Sequence, residues 1–67
     1  MAKGLFTEVE DLLRAGHAQK ALSALKRPAS AGAPSWETFL WRGRIEEKRE
    51  RLSQAERAYR KAVSADP

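Results

Sequence analysis

The chain has 67 residues, no cysteine, 33% charged side chains and a net charge of +4. That length allows one domain whose core lies near the lower limit of what is stable without staples or partners, and the missing thiols exclude disulfides and thiolate metal sites. No apolar run approaches the roughly 20 residues that span a bilayer, and the opening MAKGLF lacks the apolar core and cleavage site of a secretory signal, so the cytoplasm is the expected compartment.

Residues 3–15 carry Leu5, Phe6, Val9, Leu12 and Leu13 at the spacing of an amphipathic helix, with Lys3, Glu10, Asp11 and Arg14 off the stripe. Gly16 ends it, being free to take left-handed dihedrals. A second helix is predicted over Ala18–Arg27, burying Ala18, Ala21, Leu22 and Leu25, with small alanines allowing close helix approach. Pro28 is expected to end that helix, because it has no amide hydrogen and disfavours helix in the residue before it. PASAGAPS, residues 28–35, reads as loop throughout.

Ser35 is the expected N-cap of a third helix over Trp36–Arg49, with Glu37 in its first turn. Trp36 and Trp41 are five residues apart and cannot both enter one narrow stripe; Trp36, beneath the loop, is expected to pack inward, leaving Trp41 divided between core and binding surface. A fourth helix, Ser53–Ala65, is predicted to bury Leu52 at its base and Ala55, Ala58, Tyr59, Ala62 and Val63 above, with Glu56 and Arg60 as an i, i+4 pair.

Little here serves catalysis, which needs convergent groups at fixed geometry. His17, the single histidine, follows Gly16 and reads as an exposed turn residue or weak N-cap against the alternatives of a pH-sensitive contact or metal ligand. Glu46, Glu47 and Glu50 form a carboxylate cluster, but five basic residues share residues 42–51 with them, which predicts a solvated, salt-bridged face. Residues 42–61 hold eight basic and four acidic side chains and account for the whole net charge. That basicity keeps an RNA-associated adaptor as an alternative, although the interleaved acids dilute any phosphate-tracking stripe and argue against nucleic acid.

The second half carries Phe39, Arg42-Gly43, Ala55-x3-Tyr59 and Pro67, a frame that resembles the helix-turn-helix signature of the tetratricopeptide repeat. Arg42 stands for the usual Leu, Glu46 for Tyr, and Glu50 for the glycine between helices. A shift of 34 residues, the family's period, superposes Ala21 on Ala55, Leu25 on Tyr59, Leu5 on Phe39 and Ala24 on Ala58, so residues 2–35 and 36–67 read as two degenerate copies in one domain, 1–67. The first copy has its own departures: Val9 for the small residue, Pro28 in the last turn and Ala33 for the closing proline.

The resemblance implies an all-α fold of two antiparallel helix-turn-helix hairpins, four helices stacked as a short right-handed solenoid, acting as a non-enzymatic scaffold for a protein or peptide partner, without cofactor or metal. Carried over by position, the groove of the first helices would hold Phe6, Glu10 and Arg14, then Leu40, Arg44, Glu47 and Lys48, with Trp41 beside them. The chaperone-carboxylate grip known in the family is not expected, since the chain has no Asn and places Phe6, Glu10, Glu37 and Trp41 at those points. Glu8 and Arg42, 34 residues apart, are predicted to pair across the repeat interface. Such arrays normally end in a helix with a polar outer face. Here Tyr59, Ala62 and Val63 would remain as the surface prepared for a successor, expected to be covered by a second copy in a two-fold dimer or by residues of a longer parent protein. A purely structural self-association module is the remaining alternative.

Overall fold

The computed structural model of the chain describes Gly4 and residues 6–65; Lys3, Leu5 and Pro67, used in the reading above, lie outside the described residues. Helices α1 (Thr7–Arg14), α2 (Ala18–Ala24), α3 (Lys26–Ser30), α4 (Ser35–Lys48) and α5 (Leu52–Ala65) follow in order, with no strand among the described residues. Between α2 and α3, Leu25 keeps right-handed helical dihedrals, so these two form one interrupted rod and the described residues make an all-α arrangement of four helical rods. α1 pairs with α2, α4 pairs with α5, and α4 lies against α2, joining the two hairpins.

The interruption follows from Pro28. Its missing N–H would have reached the carbonyl of Ala24, four residues back, and Ala24 is the last residue of α2. The proline does not end the rod as expected. It sits third in α3, buried, where the first turn of a new helix needs no N–H from it. Residues 28–35 are therefore not loop throughout: only Ala31–Pro34 separates α3 from α4. Ser35 is the first helical residue and not the cap; Pro34 takes that place with the extended dihedrals a cap needs (φ −57°, ψ 137°), and its carbonyl accepts the Thr38 hydroxyl at 3.2 Å.

Three turns end in the same hydrogen-bond pair. Gly16 N–H donates to Leu13 O (3.0 Å) and His17 N–H to Leu12 O (2.8 Å); Glu50 N–H donates to Glu47 O (3.0 Å) and Arg51 N–H to Glu46 O (2.8 Å); Gly32 and Ala33 repeat it on Ala29 and Pro28. The motif requires a left-handed residue, and Glu50 (φ 60°) takes the conformation that Gly16 (φ 83°) takes 34 residues earlier. A side chain there costs about 1–2 kcal/mol relative to glycine. Glu50→Gly is accordingly expected to raise the melting temperature by about 4–8 °C for each kcal/mol relieved in a domain of this size; an unchanged or lowered melt would show that the Glu50 side chain compensates its backbone.

The Cα trace measures 35 × 30 × 16 Å, a slab too thin to enclose a large interior. The core is one seam of Phe6, Val9, Ala21, Leu25 and Ile45, with Trp41 packed on it. Buried positions recur at the 34-residue offset: Val9 with Gly43, Ala21 with Ala55, Pro28 with Ala62. Trp41, and not Trp36, is the tryptophan of the core cluster, because Phe6 stacks on it with ring centroids 6.0 Å apart.

Candidate functional site

Helix α5 carries two apolar stripes. Ala55, Ala58 and Ala62 face inward and are buried, which brings α5 close to α4. Leu52, Tyr59 and Val63, with Ala55 at the edge, form a second stripe at three- and four-residue spacing. Leu52 and Val63 are 70% and 77% exposed, so neither is buried as expected. Ala62 belongs to the interior and is not part of the open strip. With α4 the second stripe makes an open trough of about 620 Å3, flanked by Glu47, Glu56 and Arg60. Its position is repeated in the first hairpin: 34 residues earlier stand Ala18, Ala21, Leu25 and Ala29, on the rod against which α4 lies. Leu52, expected at the buried base of the helix, is placed on this surface by that offset, which sets it on Ala18.

Tyr59 closes one side of this trough. Its ring covers Gly43, where a Cβ would sit 2.5 Å from Tyr59 Cε1, and its hydroxyl donates to Glu47 Oε1. Burial of the phenol, then the hydrogen bond and charge of Glu47, push its pKa from the usual 10.0 to about 12, against an opposing effect of Arg44. The folded protein thus holds this proton more tightly than the unfolded chain. The resulting stability is fully present below the unfolded pKa of 10.0 and is lost as pH rises through about 12. As Tyr59 is the sole tyrosine, its phenolate absorbance should titrate near 12 in the folded protein and near 10.0 in denaturant; coincident titrations would remove the Glu47 contact.

Of the residues expected along the groove of the first helices, Phe6, Glu10 and Trp41 come together around one recess, while Glu47 faces away from it. Phe6 is largely buried and stacks on Trp41. Phe6, Glu10, Glu37 and Trp41 border a recess of about 190 Å3, and Glu10 pairs with Arg14 at 3.8 Å. The Arg44 guanidinium lies 4.8 Å from the Trp41 ring centroid. Leu40 is half-buried, Lys48 is exposed at the end of α4, and Glu47 is turned to Tyr59 on the trough side.

Two electrostatic expectations are overturned. Glu46 is not on a solvated face: it is 3% exposed and accepts a hydrogen bond from Arg49 Nη1 at 2.9 Å, because its place on α4 corresponds to the apolar Leu12 of α1. Glu8 does not pair with Arg42. It accepts from Arg27 at 3.4 Å, since position 8 faces the second rod of its own hairpin, and Arg42 does likewise, lining a recess with Arg57 and Lys61 of α5. His17 is exposed and makes no side-chain cap. Among the described residues no cluster of three or more His, Cys, Asp or Glu side chains could hold a metal ion, and no helix is long and apolar enough to cross a membrane.

No protein-family model matches the chain, and no curated protein or solved structure is significantly similar to it.

Proposed function

We propose that this chain is a non-enzymatic protein-interaction module of the tetratricopeptide type, and that the trough along α5 is its principal docking surface. The observation that carries the reading is the equivalence of that trough to a filled one. On the first hairpin Ala18, Ala21 and Leu25 receive α4; on the second, Leu52, Ala55 and Tyr59, continued by Val63, present the corresponding surface, with larger side chains at Leu52 and Tyr59 and nothing upon it among the described residues. Exposed contiguous apolar surface of this kind marks an interaction site. The buried positions that recur at 34 residues support the repeat reading.

In the isolated chain the occupant is a second copy. Two α5 helices crossing antiparallel about a two-fold axis set Leu52 of one against Val63 of the other, a self-complementary contact. The melting temperature should then rise with protein concentration. Val63→Glu should abolish that rise and yield a monomer in sedimentation equilibrium. Val63 suits this purpose better than Tyr59, whose loss would also uncover Gly43. A monomeric mass at every concentration, with a melt that does not depend on it, would overturn self-association.

A further inference from the structure

We propose that a second surface, the shallow groove around Phe39 and Arg42, docks an acidic peptide segment bearing apolar anchors, contributed by a partner protein. Two recesses share these residues: one of about 340 Å3 between the α2–α3 rod and α4, the other of about 180 Å3 between α4 and α5. Lys26, Arg42, Arg57 and Lys61 stand along them, and among the described residues no carboxylate lines either one. Among the described residues none of these four forms an ion pair, whereas Arg14, Arg27, Arg49 and Arg60 each have a carboxylate.

The internal repeat shows what is missing. In the first hairpin this position holds Glu8 against Arg27; 34 residues later it holds Arg42 and Lys61, so an attractive pair has become a repulsive one. An anionic occupant reverses the sign of that contact. The floor of Leu22, Ala29 and Phe39 adds an apolar seat that a bare anion would leave unused.

Nucleic acid fits this groove less well. Binding of single strands relies on free aromatic faces for base stacking, yet the Lys61 ammonium sits 5.6 Å from the Phe39 centroid, and Trp41 is stacked on Phe6 with Arg44 beside it. An acidic peptide with leucine or a similar side chain uses both the cations and the floor. The groove involves neither Leu52 nor Val63, so it stands or falls independently of the α5 trough.

The test is fluorescence anisotropy with a labelled peptide alternating glutamate and leucine, its lysine–leucine counterpart, and a single-stranded oligodeoxynucleotide of equal charge. The glutamate peptide should bind, with affinity that falls as salt rises, and the lysine peptide should not. Arg57→Ala and Lys61→Ala should each weaken binding by up to about fivefold. Lys20→Ala, on the exposed side of α2, should not weaken it. Arg42→Glu restores the charge pattern of Glu8 and Arg27; it should leave the melt unchanged or raised while weakening binding by about tenfold or more. Should a variant melt early, amide shifts of the unaltered protein decide: perturbations centred on Leu22, Thr38 and Phe39 support the groove, and perturbations elsewhere overturn it. Absence of glutamate-peptide binding, equal weakening by Lys20→Ala, or tighter oligonucleotide binding lost in the same variants would each overturn the proposal.

Discussion

Replacing Ile45 with alanine is expected to cost about 2–5 kcal/mol, the range for emptying a packed core site of a large aliphatic side chain. Ile45 is fully buried and is the α4 residue that completes the seam of Phe6, Val9, Ala21 and Leu25. Together with Trp41, its contacts hold the second hairpin to the first. A domain of 67 residues has a total stability of roughly 3–10 kcal/mol at the usual value per residue, so the loss is a large part of the whole. In urea the midpoint should fall with an unchanged slope, and Ile45→Val should lie between, at about 0.5–1.5 kcal/mol. If the alanine variant unfolded at the same urea concentration as the unaltered chain, α4 would not be anchored through Ile45 and the packing of the hairpins would have to be redrawn.

The second large effect is expected at Gly43. On α4 the glycine lies under the Tyr59 ring, and an added methyl group would meet three ring atoms at 2.5–2.8 Å. Alanine is otherwise the better helix former by about 1 kcal/mol, so a site without this contact would gain stability from Gly43→Ala. Here the overpacking term, about 1–3 kcal/mol, opposes that gain. Moreover, the ring cannot swing away without giving up its hydroxyl bond to Glu47. Gly43→Ala should thus lower the melt and at the same time bring the Tyr59 titration down from about 12 toward 10.0. The pairing of the two readouts is what distinguishes this mechanism: a lowered melt with an unmoved titration would place the strain elsewhere, and a raised melt would show that the ring yields freely.

Much of the helical outline was legible in residue spacing alone. The stripe of Val9, Leu12 and Leu13, the alanines of α2 and α5, and the break at Gly16 specify where helices run and which face turns inward, because a 3.6-residue period and a left-handed turn residue are local properties of the chain. The offset of 34 residues also foretold that Glu50 would stand where a glycine turn is needed, and the left-handed Glu50 closes the same hydrogen-bond pair as Gly16. What periodicity does not carry is which neighbour a given face meets. Glu46 is buried and paired with Arg49, Glu8 takes Arg27 in place of Arg42, and Trp41 enters the core in place of Trp36. Each depends on how the helices pack against one another. The same holds for the two surfaces proposed to bind partners. Leu52 and Val63 belong to an apolar stripe that periodicity assigns to an interior, and they are exposed only because no helix lies beyond α5 among the described residues. Arg42, Arg57 and Lys61 look in sequence like scattered charges on two separate helices. Tertiary packing of α4 on α5 brings them around one recess, since proximity of residues far apart in the chain is decided by the energy of the whole packed interface and not by any local preference.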